Sequence, residues 1–472
     1  MIKRIFSHTR LTPPAAPGTR VLIIVQNLPV PLDRRVWLEC QALHAQGYSV
    51  SVICPKGPGD PAREVIDGIG IYKYRPAPEA TGALGFAIEF ALSWIRTAAL
   101  SFTVRRERGF DVIQACNPPD TYWLLGLLWR HRGVRFIFDH HDLNPELFLS
   151  RFGQPRGLAA RFQYRTLLWL ERMTFRVADH VISTNNSYRA IALRRGKLRP
   201  DQVTVVRSGP DTRVMRPIQP VDDAAAIQDS LLVYLGIMGP QDNVDKVLEV
   251  VDELVTQRGR TDVRAVLMGF GDCLEALKAQ TIAMGLSDRI HFTGRVGPKT
   301  IANYLSAADI GLGPDEKTPL NDLSTMNKTM EYMAYALPSV SFDLTETRVS
   351  GGDSAIYVPS GDISAFADAI EALLDDSEAR ANLGRAARER VTSELDWQHQ
   401  AQAYISVFDT VLGRSQNDLR AAVWPFSNAG VPADPSHVDL NDSVSFTKFL
   451  VTRGRRLQTP DSSEFIKLRT RA

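Results

Sequence analysis

The stretch Ser324-Thr-Met-Asn-Lys-Thr-Met-Glu-Tyr-Met-Ala-Tyr-Ala-Leu-Pro338 lies between two short apolar runs, at 308–312 and 339–342. Hydroxyl residues open the stretch, and a proline, which cannot continue a helix, ends it. This pattern predicts two strands of a parallel sheet joined by a short helix over 324–336. The start of that helix would lie at the carboxyl end of the sheet, where free N–H groups and the helix dipole favour a phosphate.

Lys328 and Glu331 lie three residues apart inside this predicted helix. In one interpretation, the lysine neutralises a diphosphate and the glutamate accepts hydrogen bonds from sugar hydroxyls. In the other, the two residues form an exposed helical ion pair that contributes only a few tenths of a kcal/mol. Spacing alone favours the exposed pair, so the choice depends on the rest of the chain.

Apolar runs rich in β-branched residues alternate with amphipathic segments along most of the 472 residues. Short apolar strands separated by helices are typical of parallel sheets that are covered on both faces. The alternation restarts after a segment at 217–226 that contains proline and aspartate and is typical of a linker. The sequence therefore predicts an α/β protein with two Rossmann-like, doubly wound domains that face each other across a cleft. The predicted strands are at 21–25, 49–53, 71–74, 111–114, 135–138, 180–183 and 203–206, and then at 231–235, 263–268, 290–293, 309–312, 339–342 and 355–358.

We divide the chain into five parts on this pattern. An N-terminal extension (1–19) precedes the two Rossmann-like domains, at 20–216 and 217–396. A helix at 397–414 is expected to cross back to the first domain, and the tail at 415–472 is left without an assigned structure.

Composition and charge restrict the partners. The chain is 44% hydrophobic and 23% charged, as ordinary globular proteins are. Four cysteines without metal-ligand spacing (Cys40, Cys54, Cys116 and Cys273) indicate free thiols in a reducing, cytoplasmic compartment. Residues 1–210 hold 29 Lys and Arg against 16 Asp and Glu, although the net charge of the whole chain is only +2. This basic half indicates an anionic partner or a solvated Arg-rich face, and without a recognition motif it does not indicate nucleic acid.

The most apolar segment covers residues 83–102, but Glu89 and Arg96 interrupt it. A transmembrane span is therefore not expected. A buried helix is favoured, and an amphipathic helix that leans on the inner face of a membrane is the alternative. We predict peripheral contact with an anionic membrane.

Six segments together resemble the family-4 retaining glycosyltransferases of the GT-B fold, and most closely the bacterial members that build cell-surface polysaccharide. The resemblance spans roughly residues 20–412. It implies that the first domain binds the acceptor and that the second binds a nucleotide-sugar donor. The six segments are Asn27-Leu-Pro-Val-Pro-Leu-Asp-Arg-Arg-Val-Trp37, Asn117-Pro-Pro-Asp120, Phe138-Asp-His-His-Asp-Leu-Asn-Pro-Glu146, Val206-Arg-Ser-Gly-Pro-Asp211, Phe292-Thr-Gly294 and residues 321–338.

The resemblance implies specific donor contacts. The family signature has two glutamates separated by seven residues, and Glu331 matches the second, which holds the nucleotide ribose. Leu323 occupies the place of the first glutamate, so Asp322 or Asn321 would have to supply its sugar contact by a shift in register. The helix start with Ser324, Thr325 and Asn327 would receive the diphosphate.

The basic pair that family members carry after the first strand of the second domain is missing. Ile237 and Asp242 occupy its places. Because a departing diphosphate needs positive charge, Lys328 and Arg207 are the remaining candidates, with Lys317 a poorer one.

The first domain offers a second group of candidates. His141 matches the histidine that lies near the donor sugar in the family, and His140 is its rival in register. The acceptor-side candidates are Asp33, Arg34 and Asp120. Asp33 and Asp120 are also consistent with helix N-caps, and for Asp120 we favour the cap.

We therefore predict transfer of a sugar from a nucleotide diphosphate sugar to an acceptor hydroxyl, with retention, through His141, Lys328 and Glu331. No cofactor and no metal are expected, and the acceptor would be a lipid-linked or free saccharide. The alternatives are a nucleotide-sugar 2-epimerase on the same fold and a non-catalytic nucleotide-sugar binding protein.

Overall fold

The computed structural model describes residues 18–76, 82–413 and 436–453. These residues form two compact units. The first unit takes the described residues up to Ser208 and those from Gln398 to 413, and the second takes Gly209–Trp397 and residues 436–453. Residues 209–216, which the pattern assigned to the first domain, bond to the second unit. Thr212 N donates to Asp396 Oδ2 at 3.0 Å, and Arg388 Nη2 donates to Thr212 O at 2.8 Å.

Eight strands form the sheet of the first unit, in the order β3-β4-β2-β1-β5-β6-β7-β8. Neighbouring strands are parallel except β3 and β4, which are antiparallel. The central strands are buried along almost their whole length, as their apolar sequences predict. The strands are β1 Arg20–Ile24, β2 Ser49–Pro55, β3 Arg63–Ile66, β4 Ile69–Tyr74, β5 Val112–Cys116, β6 Arg135–His140, β7 His180–Ser183 and β8 Val203–Val205.

Helices join these strands and cover the sheet. They are α1 Arg34–Ala45, α2 Gly82–Glu107, α3 Trp123–Arg130, α4 Asn144–Phe152, α5 Gly157–Val177 and α6 Asn186–Gly196. The helix α2 contains the apolar segment at 83–102. It is only partly buried, because Ile88, Ile95 and Phe102 are each more than half exposed, so the favoured prediction of a buried helix is wrong for these side chains. Among the described helices, none is both long and apolar enough to cross a membrane.

Six parallel strands form the sheet of the second unit, in the order β11-β10-β9-β12-β13-β14. This sheet also has helices between successive strands, so both units have the doubly wound α/β fold that the sequence predicts. The strands are β9 Ser230–Ile237, β10 Val263–Phe270, β11 Ile290–Gly294, β12 Ile310–Gly313, β13 Ser339–Phe342 and β14 Ile356–Val358. The helices are α7 Asp222–Ala226, α8 Asp245–Asp252, α9 Leu274–Ala283, α10 Pro298–Ala307, α11 Asn327–Ala334, α12 Thr345–Gly351, α13 Ile363–Asp375 and α14 Ser377–Arg390.

Two helices follow near the C-terminus, α15 Trp397–Leu412 and α16 Ser443–Thr452. From Gln398 onward α15 belongs to the first unit, where Tyr404 Oη donates to Gln114 Oε1 at 2.5 Å. In the second unit, α16 buries Phe446, Phe449 and Leu450. Part of the tail that was left without an assigned structure is therefore folded, and the rest lies outside the described residues.

The segment at 217–226 is not an open linker. Its start pairs with the chain before α16, through an antiparallel bridge between Ile218 and His437, and its end forms α7. Ile218 N also donates to Ser306 Oγ at 3.0 Å. The linker prediction is wrong because these backbone groups bond within the second unit.

Candidate active site

The helix α11 begins at Asn327, three residues later than the sequence predicts. A 3-10 turn at Asn321–Leu323 precedes it, and Ser324 Oγ donates to Leu320 O at 2.8 Å instead of capping the helix. Ser324 and Thr325 therefore lie before the helix, and the prediction that they open it is wrong. The N-cap position is taken by Met326, whose side chain cannot accept an N–H bond, so no side chain at that position caps the first N–H groups.

Lys328 lies in the first turn of α11 and is almost completely buried. Its Nζ donates to both carboxylate oxygens of Asp315, at 2.7 and 2.8 Å, and Asp315 is itself buried in the loop after β12. The interpretation of Lys328 and Glu331 as an exposed helical ion pair is therefore wrong. The lysine is held in place by a buried carboxylate from a neighbouring strand end.

Lys328 remains charged in this environment. Burial opposes its charge, but the negative charges of Asp315 and Asp242 outweigh burial and raise its pKa. The Nζ atom lies 5.1 Å from the centre of the Tyr234 ring, a favourable position for a cation. Gly236 makes this approach possible, since a Cβ there would lie 3.3 Å from Lys328 Cε and 2.8 Å from Tyr234 Oη.

The loop after β9 lacks the basic pair of the family and is fixed by other bonds. Asp242 Oδ2 accepts from Gly239 N at 2.9 Å, so this carboxylate closes the turn. The amide of Asn321 donates to Gln241 O at 2.8 Å and to Glu316 O at 2.9 Å. This amide therefore joins the loop after β9 to the loop after β12.

Two other donor candidates lie near this helix start. Asp322 Oδ1 accepts from Thr345 N at 2.8 Å and lies 3.2 Å from Lys317 Nζ. Burial opposes the charge of Asp322, but these two partners lower its pKa. Glu331 is half-buried on α11, one turn after Lys328. Their contacts with a donor stay predictions.

Bonds at the C-terminal half of α11 fix the helix to its surroundings. Tyr332 Oη accepts from Leu235 N at 3.0 Å and donates to Leu312 O at 3.1 Å, which joins α11 to β9 and β12. Two buried guanidinium groups donate to carbonyls at the end of the helix and just after it. Arg388 Nη1 bonds Ala334 O at 2.6 Å, and Arg453 Nη1 bonds Ala336 O at 2.9 Å. Cations at a helix C-terminus interact favourably with its dipole.

The first unit contains a buried polar cluster around Arg35, at the carboxyl ends of β5 and β6. The guanidinium of Arg35 donates to Asp139 Oδ1, to His141 Nε2 and to Val206 O, at 3.0, 3.0 and 2.9 Å. Glu39 Oε1 lies 3.0 Å from Arg35 Nε. The sequence interpretation identified only His141 of these residues. The signal it missed is Asp139, a charged residue that directly follows the apolar run Phe136-Ile-Phe138 of β6.

Two carboxylates share the single positive charge of Arg35. Burial raises the pKa of Glu39 well above its usual range, and the nearby charge of Asp139 raises it further. Burial also opposes ionisation of Asp139, but Arg35 and His141 outweigh it and lower the pKa of this carboxyl. The two shifts favour the ionised form of Asp139 and the protonated form of Glu39. Gln114 joins them, since its Nε2 lies 2.8 Å from an oxygen of each.

His141 lies at the edge of this cluster, and its side chain is 14% exposed. Its Nε2 is 2.8 Å from Asp139 Oδ2, and its backbone N donates to Asn117 Oδ1 at 2.7 Å. The ring is thus oriented by protein groups on one side while part of it reaches solvent. This placement agrees with the hydrogen-bonding role predicted for His141, which stays a prediction.

His140, the rival in register, is a core residue. Its ring is completely buried among Phe138, Phe175 and Tyr188, each with its ring centre 5.2 Å away. Burial lowers the pKa of His140 to about 3, and the charges of His141 and Arg195 add to this effect. The ring is therefore neutral at physiological pH.

Replacing His140 with phenylalanine is expected to make the protein less sensitive to acid. Above the ordinary pKa of about 6.5, neither state of wild-type His140 holds the extra proton, so stability is unaffected. Between that value and a folded pKa of about 3, only the unfolded chain binds the proton. Stability then falls by about 1.4 kcal/mol for each pH unit, and the variant should lack this slope.

Urea unfolding at several pH values measures the slope directly. The exposed His131 provides the control, because its replacement by phenylalanine should leave the slope of the wild type unchanged. Equal slopes for wild type and His140→Phe would contradict a neutral, buried ring.

Asp120 is not the helix N-cap that we favoured. The helix α3 begins at Trp123, and the Asp120 carboxylate accepts from Asn117 Nδ2 at 3.0 Å and from Asn144 Nδ2 at 2.6 Å. Burial raises the pKa of Asp120 to about 6, and the charge of Asp142 adds to this effect. The hydrogen bonds from the two amides act in the opposite direction and lower the pKa. Asp120 therefore joins the loops after β5 and β6.

The remaining first-unit candidates have structural partners. Asp33 Oδ1 accepts from Val36 N at 3.1 Å and is the N-cap of α1, which was the alternative interpretation. Arg34 is half-buried in the first turn of α1. Arg207 is almost completely buried, and its backbone N donates to Gln400 Oε1 at 3.0 Å. Acceptor contacts of Asp33 and Arg34, and a phosphate contact of Arg207, stay predictions.

One group of metal-ligand type occurs among the described residues. Ligand atoms of Cys116, Asp139 and His141 lie within 4.8 Å of one another. The guanidinium of Arg35 contacts both Asp139 and His141, and burial raises the pKa of Cys116 well above its usual range. A protonated thiol beside a fixed cation is a poor site for a divalent metal.

Two family models match the two parts of the chain. Residues 32–209 match a model described as a glycosyl transferase 4-like domain, and residues 229–376 match one described as glycosyl transferases group 1. With two Rossmann-like units, the chain belongs to the family-4-type glycosyltransferases of the GT-B fold, enzymes that transfer a sugar from a nucleotide sugar.

Among similar proteins is the alpha-maltose-1-phosphate synthase of Mycolicibacterium smegmatis, which is 27% identical over 305 residues, 59% of this chain and 74% of that protein. The sucrose-phosphate synthase of Thermosynechococcus elongatus has a similar structure, with a TM-score of 0.67 and 20% identity, covering 84% of this chain and all of that one. HepE of Anabaena, in complex with UDP and glucose, has a TM-score of 0.61 and 14% identity over 83% of this chain and all of its own.

Proposed function

We propose that this glycosyltransferase acts with retention of the anomeric configuration, in the synthesis of cell-surface polysaccharide or glycolipid. The observation that carries the donor site is the start of α11, where Lys328 is fixed in the first turn of the helix at the carboxyl end of the second sheet. A positive helix start next to a buried cation suits the diphosphate of a nucleotide sugar. The complex of HepE with UDP and glucose supports a donor of this class.

The proposed donor contacts follow from the positions of the side chains. The diphosphate lies at the N–H groups of Asn327 and Lys328, with Ser324 and Thr325 before it. Glu331, half-buried one turn later, accepts bonds from the ribose hydroxyls, and Asp322 bonds the sugar. Arg207 in the first unit is the second proposed cation.

The reaction is a substitution at the anomeric carbon. The bond from this carbon to the diphosphate oxygen breaks, and its electron pair goes to the leaving oxygen. The acceptor oxygen bonds the same face of the sugar and passes its proton to a phosphate oxygen. Lys328 stabilises the charge that develops on the leaving group, and His141 orients a sugar hydroxyl. No metal and no cofactor take part in this proposal.

The acceptor in this proposal is a saccharide or a lipid-linked sugar, bound on the side of Asp33, Arg34 and Asp120. The enzyme would act at the cytoplasmic face of an anionic membrane. The four cysteines, all free thiols, support a reducing compartment.

The missing basic pair, with Ile237 and Asp242 in its places, and the missing first glutamate, with Leu323 in its place, favour a non-catalytic binding protein; a 2-epimerase on the same fold is the other alternative. The test incubates the enzyme with a panel of nucleotide diphosphate sugars, with and without saccharide acceptors. NMR then follows the anomeric proton of the product. Retained configuration with an acceptor supports the proposal. A 2-epimer formed without an acceptor, or tight donor binding with no turnover, would overturn it.

The change Glu331→Gln is expected to weaken donor binding by about 10- to 100-fold, because a bond from a ribose hydroxyl to a charged group contributes about 1.5–3 kcal/mol. Calorimetry with the preferred nucleoside diphosphate measures this effect. Glu275→Gln, at the exposed start of α9, is the matched control and should change nothing. Unchanged affinity in Glu331→Gln would remove Glu331 from the donor site.

A further inference from the structure

The corner between α4 and α5, which includes both helix ends and the turn between them, exposes several large apolar side chains. Phe152, Leu158 and Phe162 are 70%, 86% and 75% exposed. Scattered exposed apolar residues are ordinary, but three within 11 positions of one corner form a patch. The patch is therefore a candidate interaction surface.

The same corner carries only positive charge. Residues 147–170 include Arg151, Arg156, Arg161 and Arg165 and contain neither Asp nor Glu. All four arginines are exposed. Because a guanidinium stays charged at any physiological pH, the corner presents apolar groups within a permanently cationic rim.

A buried ion cluster joins α4 and α5 at a distance from this corner. The guanidinium of Arg195 on α6 bonds both oxygens of Glu146 at the start of α4, and its Nη1 lies 3.0 Å from Glu171 Oε1 near the end of α5. The ring of Phe148 packs against those of Phe152 and Tyr164, at 5.2 and 5.8 Å between centres. The exposed side chains are thus presented on a rigid support.

A surface cavity of about 310 Å³ opens in the turn of this corner. It is lined by Phe148, Phe152, Pro155 and Ala160, with Arg156 at its side. An apolar hollow next to a guanidinium suits a group that is both apolar and anionic, such as part of a phospholipid.

We infer that the α4–α5 corner is the surface by which the first unit binds an anionic phospholipid membrane. Phe152, Leu158 and Phe162 enter the boundary between headgroups and acyl chains, and the arginines meet lipid phosphates. The combination favours a membrane over a protein partner, because the charge at the corner has one sign and surrounds exposed apolar side chains. This inference specifies the membrane contact of the proposed function, on which it rests.

The test is sedimentation of the full chain with vesicles of phosphatidylcholine alone or with about one third phosphatidylglycerol. Wild type should bind the anionic vesicles, and binding should weaken as salt rises. Replacing Arg156, Arg161 and Arg165 with glutamine should weaken binding by about fivefold per arginine, or roughly 100-fold in all. Replacing Phe152, Leu158 and Phe162 with serine should abolish it.

Matched controls lie elsewhere on the surface. Ile282→Ser removes an exposed apolar side chain from α9 in the second unit, and Arg199→Gln removes an exposed arginine. Both should bind like wild type. Equal binding by the corner variants would overturn the inference. So would a concentration-dependent dimer in wild type that the serine variant converts to a monomer, because the patch would then be an interface between copies.

Donor binding by calorimetry separates this inference from the proposed function. The corner variants should keep the donor affinity of wild type, which also shows that they are folded. If the corner variants lose vesicle binding but keep normal donor affinity, the α4–α5 corner is supported as the membrane-binding surface. Donor binding without vesicle binding in wild type would overturn the corner and the membrane location but not the sugar transfer, whereas absence of donor binding in wild type would overturn the proposed sugar transfer.

Discussion

Replacing Arg35 with methionine is expected to lower the free energy of unfolding by about 3–5 kcal/mol, because it removes the guanidinium that pairs with a buried carboxylate. Arg35 lies 3.0 Å from both Asp139 and Glu39, whose side chains are completely buried. Without the guanidinium, Asp139 must keep an uncompensated charge in the core or take up a proton. Methionine keeps much of the volume of the side chain, so the loss is electrostatic and not a large cavity.

The effect should depend on pH in a defined direction. Arg35 and His141 lower the pKa of Asp139 against the effect of burial, so its contribution is present above the ordinary pKa of about 3.9. That contribution is lost as pH falls toward the lower folded value. The difference between wild type and Arg35→Met should therefore be largest near neutral pH and should shrink in acid. Urea unfolding at neutral and acid pH measures it.

Two variants control this experiment. The pair Arg35→Met with Asp139→Asn removes cation and anion together, and should regain a large part of the lost stability. Arg199→Gln breaks the exposed pair with Asp201 and should leave the stability close to that of wild type. If Arg35→Met unfolds at the urea concentration of wild type, the cluster is not a buried ion network.

The strands of both sheets could be predicted because burial on both faces gives them continuous apolar sequences. The run at 21–25 and β1 Arg20–Ile24 differ by one residue at each end. The strand β3 Arg63–Ile66 has no such signal, since it lies at the sheet edge and alternates exposed with half-buried residues. The sequence of such an edge strand therefore resembles that of a loop.

Contacts between loops could not be predicted from spacing. Asp315 gives no local signal as the partner of Lys328, because 13 positions separate them and only the end of β12 brings them together. Asp120 looked like a cap because it follows two prolines, yet its carboxylate bonds Asn117 and Asn144. Ser324 has a hydroxyl that could cap the helix, but this hydroxyl donates to Leu320 O instead. Asp120 is thus held from within its own loop and by Asn144 after β6, whereas Ser324 bonds within its own loop, and in both cases these bonds outweigh the local preference for a cap.

The change Lys328→Met is expected to lower kcat/KM for the donor by about 10²–10³, because it removes a fixed cation from the site where the diphosphate departs. It also leaves Asp315 buried without its cation. The single variant should therefore lose about 3–5 kcal/mol of stability as well. Activity and unfolding must both be measured, since either loss alone has more than one cause.

The paired variant Lys328→Met with Asp315→Asn separates these causes. Removing both charges should restore stability to within about 1 kcal/mol of wild type, while turnover stays at least about 100-fold lower. Asp315→Asn alone frees the lysine from its carboxylate, so diphosphate should bind as tightly as in wild type or more tightly. If the paired variant regains turnover, Lys328 serves only to neutralise Asp315, and the cation that meets the leaving group must lie elsewhere, with Arg207 the first to test.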